Sequence, residues 1–301
     1  MTTTLRFDRL TKHFGATVAV EDLSATVHPG RVTAFLGPNG AGKTTTLRML
    51  LGLVRPTSGS ATFDGRRYDE LTAPTREVGA LLEATGFHPG RSGRDHLRVI
   101  ATAAQLPAGR PDEVLELVGL SEAARRAAGG YSLGMRQRLG LAGALLGDPP
   151  VLVLDEPANG LDPQGIRWLR TFLRGLAAEG RTVLVSSHVL PEVEQTADDV
   201  LVIAQGRLLR SESLSALRSE GGGGTRVRTP DGERLVELLT RAGLPGQWLG
   251  PEELLVQAPP AAVGELAAAN GIVLHRLAES AGGLEDVFLT LTGQADTGAR
   301  P

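Results

Sequence analysis

The chain has 301 residues, 41% apolar and 22% charged, which allows a sizeable core and excludes disorder as the main theme. Its 31 basic and 34 acidic residues leave a formal charge of -3, so the electrostatics give no reason to expect nucleic acid as a partner. Cysteine is absent, which excludes disulfides, cysteine-based zinc sites and a cysteine nucleophile.

Residues 1–10 carry Arg6, Asp8 and Arg9 and no apolar centre, so no signal peptide is expected. No run of about 18 uncharged apolar residues occurs, so no membrane span is expected and the protein should lie on the cytoplasmic side. Val32 to Leu36 is a short apolar run that ends in glycines, and Lys43 to Leu53 reads as a helix. From about 84 to 148 the pattern is mostly helical, with helices expected over Asp95 to Ala104, Pro111 to Val118 and Met135 to Leu146. Val151 to Leu154 is continuously apolar, as a strand buried on both faces should be. Pro163 to Glu179 has helical spacing, and Thr182 to Ser186 is a further strand. Strand, helix and strand joined by short links predict a parallel sheet. Residues 1–215 therefore read as one α/β unit with a helical insertion at about 84–148. Residues 216–224 read as a linker around Gly221 to Gly224, 225–294 as a small α+β domain, and 295–301 as a tail. In the small domain, strands are expected near 225–229, 247–249, 253–257 and 272–277, with helices at 232–241 and 260–270. That order suits a ferredoxin-like sandwich.

Three segments carry chemistry. Gly37-Pro38-Asn39-Gly40-Ala41-Gly42-Lys43-Thr44 fits G-x-x-x-x-G-K-[ST] between an expected strand and an expected helix. Its glycines let backbone N–H groups approach phosphate oxygens, and the helix N-terminus adds positive dipole. Lys43 suits the β and γ phosphates, and the Thr44 hydroxyl suits Mg²⁺. The chain has only one other lysine, Lys12. Second, Asp155 and Glu156 end the 151–154 strand, where ligands of open α/β sheets bind. Asp155 is expected to hold the metal, and Glu156, which must point elsewhere, to act as general base. Third, Tyr131-Ser132-Leu133-Gly134-Met135 opens a helix and makes a second phosphate-binding N-terminus, 23 residues before Asp155. One nucleotide rarely needs two such ends, so this one is expected to face a nucleotide held by another subunit.

In this order the three segments resemble the Walker A, signature and Walker B motifs of ATP-binding-cassette (ABC) ATPases, and the resemblance spans about residues 5–210. Asn159-Gly160-Leu161-Asp162 resembles the D-loop, His188 after Ser186-Ser187 the switch histidine, and Phe14 the aromatic that stacks on adenine, although a core phenylalanine is an alternative. Two departures stand out. Leu133 replaces a signature glycine, and Glu83 occupies the place of the Q-loop glutamine, where a carboxylate can still bind Mg²⁺. With the closing Leu284-Glu285-Asp286-Val287-Phe288, these look like the bacitracin- and daunorubicin-resistance branch of bacterial exporters.

The resemblance implies an α/β P-loop NTPase of ABC type that hydrolyses ATP with Mg²⁺ and works with separate membrane permease subunits. It also implies a head-to-tail pair of copies around two nucleotides. Gly37 to Thr45, with Asn39, Gly40, Ala41, Gly42, Lys43, Thr44 and Thr45, would hold the phosphates of one nucleotide. Ser132 and Gly134 would meet the nucleotide of the other copy, and Asp162 of the D-loop would also contact nucleotide. Thr44, Asp155 and Glu83 would serve the metal, while Glu156, His188 and Lys43 would carry the chemistry. The rival reading is a soluble ABC ATPase acting on DNA or ribosomes. The long coiled-coil insertion or second cassette usual in such proteins is missing here. The remaining histidines, His13, His28, His88, His96 and His275, are scattered and read as structural or surface residues.

Overall fold

The computed structural model describes residues 2–82, 86–220, 224–280 and 284–297. The chain divides into two units after Ser213. In chain order the first unit contains β1 (Leu5–Phe14), β2 (Thr17–Val27), β3 (Val32–Leu36), α1 (Lys43–Leu50), β4 (Ser58–Phe63), α2 (Pro74–Glu77) and β5 (Val78–Leu81). It continues with α3 (Gly93–Ala103), α4 (Arg110–Leu117), α5 (Leu133–Leu145), β6 (Val151–Asp155), α6 (Pro163–Ala178), β7 (Thr182–Ser187), α7 (Leu190–Thr196), β8 (Asp199–Ala204) and β9 (Arg207–Ser213).

The central sheet runs β5-β6-β7-β3-β8-β9. Its neighbours are parallel except for β9, which pairs antiparallel with β8 at the edge. Both faces are covered, so β6 is apolar throughout its length before Asp155. Val151 and Val153 join α1 and a three-stranded antiparallel sheet, β2-β1-β4, in one core. Leu152 and Leu154 join α5 and α6 in the other, which also takes in Leu97 of α3 and Val114 of α4. The antiparallel sheet was not legible in the sequence. Its alternation is interrupted by register shifts, as between Phe7 and Leu10, which break the period of two. Helices α3, α4 and α5 fall within the expected insertion and start one or two residues early; capping side chains set the starts of α3 and α5, while α4 begins after Gly109 with Pro111 in its first turn. Ser92 caps α3 by accepting from Asp95 N, and Ser132 caps α5 by accepting from Met135 N.

The second unit contains α8 (Leu214–Glu220), β10 (Gly224–Arg228), α9 (Gly232–Arg241), β11 (Gly246–Gly250), β12 (Glu253–Val256), α10 (Pro260–Ala269), β13 (Arg276–Ser280) and α11 (Leu284–Thr297). Its sheet is antiparallel in the order β11-β12-β10-β13, which gives the β-α-β-β-α-β chain a ferredoxin-like arrangement. Three expectations need correction. Residues 216–220, read as linker, are helix α8, where Leu214 and Leu217 are buried. The four-glycine run lies mostly outside the described residues, but Gly224 already belongs to β10. The last strand begins at Arg276 rather than Ile272, because Ile272 N–H donates to the Ala267 carbonyl and finishes α10. Helix α11 reaches Thr297 and takes in residues read as tail. No helix among the described residues is long and apolar enough to cross a membrane.

Candidate functional site

Strands β6, β7 and β3 lie side by side, and their carboxyl ends are level: Asp155 pairs with Ser186, and Leu36 with Ser187. Whatever follows these three strands must meet at one end of the sheet, where ligands of open α/β sheets bind. The phosphate loop follows β3, Glu156 follows β6 and His188 follows β7.

The loop requires glycine at two places. A Cβ on Gly37 would stand 2.4 Å from the Ile203 carbonyl oxygen. Gly42 has φ +105°, and a Cβ there would stand 2.5 Å from the Ala19 carbonyl oxygen. Gly42 caps α1 without a side-chain hydrogen bond, so the first N–H groups of the helix carry no side-chain cap and suit an anion. Lys43 is 6% exposed. Its Nζ donates to the carbonyls of Gly37 at 2.6 Å and Pro38 at 3.3 Å, and stands 3.4 Å from Glu156 Oε1. A buried ammonium held partly by main-chain oxygens is a fitting seat for phosphate charge. Asn39 and Gly40 at the loop tip are exposed; Thr45 is half-buried on the first turn of α1.

Thr44 Oγ1 donates to Asp155 Oδ2 at 2.7 Å. The other oxygen, Oδ1, accepts from the Ser186 hydroxyl. A hydroxyl and a carboxylate within reach of a phosphate seat are hard oxygen donors of the kind that would suit Mg²⁺. No cluster of three or more acidic, histidine or cysteine ligands exists among the described residues, so a metal bound here would need the nucleotide's oxygens as well. Glu83 lies outside the described residues.

Glu156 adopts a left-handed backbone, φ +49°. Such a conformation is unusual for a residue with a Cβ and clusters at functional sites. It turns the Glu156 carboxylate away from Asp155, toward Lys43 and His188. Glu156 Oε2 accepts from His188 Nδ1 at 2.9 Å. The Glu156 N–H donates to Ser186 Oγ at 2.9 Å, and its carbonyl accepts from Gln137 Nε2 at 3.3 Å. Ser186, Gln137 and Glu192 escaped sequence reasoning, because their importance lies in contacts made across the sheet. Glu192, on α7, lines a cavity of about 40 Å³ with Glu156 and Ser187. Burial, and then the Glu156 charge, hold the Glu192 carboxyl above its ordinary range, while His188 draws it down.

Ser132, Gly134 and Asp162 gather elsewhere, in an open groove they share with Arg138, Gly160 and Gly165. Ser132 caps α5, and Asp162 caps α6 by accepting from Gly165 N at 2.7 Å. Leu133 is 53% exposed and lies over Gly160: a Cβ on Gly160 would stand 2.0 Å from Leu133 Cδ2. Phe14 stands apart at the end of β1. Its ring is 51% exposed beneath Lys12 Nζ, so it is not a core residue and leaves an aromatic platform open to solvent.

A family model described as ABC transporter matches residues 20–159, and one for a domain of unknown function, DUF8746, matches residues 223–285. The chain is 35% identical to the bacitracin transport ATP-binding protein BcrA of Bacillus licheniformis, over 99% of this chain and 100% of that one. BcrA of Enterococcus faecalis is 36% identical over 95% of each. The lantibiotic transport ATP-binding protein SrtF of Streptococcus pyogenes is 38% identical over 68% of this chain and 89% of its own. Among solved structures, an ATP binding subunit of an ABC transporter has a TM-score of 0.65 at 28% identity, covering 72% of this chain and 92% of that one. The dimeric bacterial ABC transporter cassette MJ0796 also has a TM-score of 0.65, at 21% identity over 70% and 98% of the two chains, a likeness of fold. These relatives give no support to an ATPase of DNA or ribosomes. With a nucleotide seat built as above and a match along the whole of a known transport ATPase subunit, the chain belongs to the ABC transporter family as an ATP-binding, ATP-hydrolysing subunit.

Proposed function

We propose that this subunit powers export of a peptide-like antibiotic of the bacitracin or lantibiotic kind through a separate permease, working at the cytoplasmic face of the membrane. The named relatives motivate the substrate class. The observation that carries the residue assignments is the convergence of Lys43 and His188 on Glu156, beside the Thr44–Asp155 hydrogen bond.

ATP binding asks Lys43 Nζ to leave the Gly37 carbonyl for the β and γ phosphates, which the N–H groups of Gly40 to Thr45 also line. Phe14 offers its exposed ring to adenine. Thr44 and Asp155 would hold Mg²⁺, which when bound offsets charge on the phosphate oxygens. Released from Lys43, the Glu156 carboxylate takes a proton from water as the water oxygen attacks the γ phosphorus. The bond from that phosphorus to the β–γ bridging oxygen breaks, and ADP leaves with the electron pair. His188 holds Glu156 in place through its Nδ1–H, and as an imidazolium, with both ring nitrogens protonated, it would also donate its Nε2–H to the γ phosphate. Two copies close head to tail, so that Ser132, Gly134 and Asp162 of one reach the nucleotide of the other. Closure follows from contacts that exist only with ATP present, and hydrolysis removes them.

The test is efflux in cells lacking this protein. Restoring the wild-type chain together with its permease should restore resistance to bacitracin, and a Glu156→Gln chain should not. Equal resistance from both would overturn the proposal.

A further inference from the structure

The polar side chains buried in the first unit belong mostly to β3, β6, β7 and α1. Of the buried side chains with polar groups in the helical insertion among the described residues, Tyr131 spends its hydroxyl on the Ala123 carbonyl within the insertion, whereas Gln137 of α5 reaches out of it. Its Nε2 donates to the main-chain oxygen of Glu156 at 3.3 Å. On the other side, Ser186 Oγ accepts from the Glu156 N–H at 2.9 Å. Both main-chain polar groups of this left-handed residue thus meet side chains from different elements, and the carbonyl shares Gln137 with the Asn159 N–H, which donates to it at 3.1 Å within the following turn. A sparsely populated backbone conformation persists only where its surroundings fix it. The donor is uncharged, so it steadies the carbonyl without competing with Lys43 for the carboxylate.

We propose that Gln137 is a positioning residue that seats the Glu156 main chain and so ties the aim of its carboxylate to the placement of α5. This rests on the assignment of Glu156 as the base. Helix α5 also carries Ser132 at its cap and Gly134 in its first turn. Movement of α5 as those residues engage the second copy's nucleotide therefore reaches the base through one side chain. The arrangement gives each copy a way to hold its own hydrolysis back until its signature segment is engaged.

The experiment compares the full-length wild-type chain with Gln137→Met, which keeps the length of the side chain and loses the donor, and with Glu156→Gln. Steady-state hydrolysis, ATP affinity by calorimetry and dimer content with ATP by size-exclusion chromatography are measured for each. Gln137→Met should lower kcat by about tenfold or more while KM and the ATP Kd stay within about twofold. It should also accumulate the ATP-bound dimer as Glu156→Gln does, which a merely misfolded signature segment would not. Wild-type kcat, a loss of affinity that matches the loss of rate, or slow turnover without dimer would each overturn the proposal. If Glu156→Gln itself turns over normally, the assignment of the base has failed instead. Should Gln137→Met not fold, Gln137→Leu is read in the same way.

Discussion

Lys43 Nζ and Glu156 Oε1 lie 3.4 Å apart, so the cation that should grip phosphate is neutralised by the carboxylate that should activate water. On the proposed roles, ATP would displace an existing partner instead of meeting a bare charge, and only then would Glu156 be released. Replacing Lys43 with alanine should weaken ATP binding by about 100-fold, the loss of one or two charge-assisted hydrogen bonds. Arginine should not restore it, because its planar fork cannot occupy the 6%-exposed seat of an ammonium. Calorimetry with ATP measures both, and wild-type affinity in either variant would contradict the seat.

Glu156→Gln keeps the shape and backbone contacts of the residue and removes the base. Its kcat should fall by about 10²–10⁴-fold, the range that general bases contribute, with ATP affinity nearly intact. Phosphate release is the assay. Chelation of divalent cations should silence the wild-type chain to the same degree, since Thr44 and Asp155 alone offer a metal too few ligands.

Glu192 gives a dependence on pH. Its carboxyl is raised above the ordinary range by burial and by Glu156, so the fold favours the protonated form. That contribution is complete below the ordinary carboxylate pKa and is lost as pH climbs through the raised value. Glu192→Gln, uncharged throughout, should melt about 1–3 °C above wild type at neutral pH, and the gain should vanish near pH 4. Melting curves across this window decide the matter; a constant difference would mean that ionisation of Glu192 costs the fold nothing.

Leu133 and Gly160 form a pair of complementary sizes. Gly160→Ala forces a Cβ into the Leu133 side chain and places it on a residue at φ +76°, so ATPase activity should fall about tenfold or more. Adding Leu133→Ala should recover part of the loss, leaving the backbone strain of about 1 kcal/mol. Turnover of the double variant no better than that of the single would mean that the two side chains do not interact.

The phosphate loop, Asp155 and Glu156 were legible because buried parallel strands are continuous apolar runs, and what stands just past their ends is chemistry. Val151 to Leu154 followed by two carboxylates announces itself in this way. Gln137 did not, because nothing local distinguishes an amide that reaches Glu156 from one that faces water. Phe14 was ambiguous for a related reason: its neighbours in β1 alternate imperfectly, and only the folded strand shows its ring outside. The second unit was readable in its order of elements but not in its edges. Ile272 is apolar whether it ends a helix or begins a strand.

The left-handed backbone at Glu156 sets endurance against turnover. Glycine would relax in that conformation by about 1 kcal/mol, but it would also leave Lys43 without its counter-charge and His188 without its acceptor, and it would remove the proposed base. Any effort to toughen this protein by relieving left-handed backbone must therefore pass over this position.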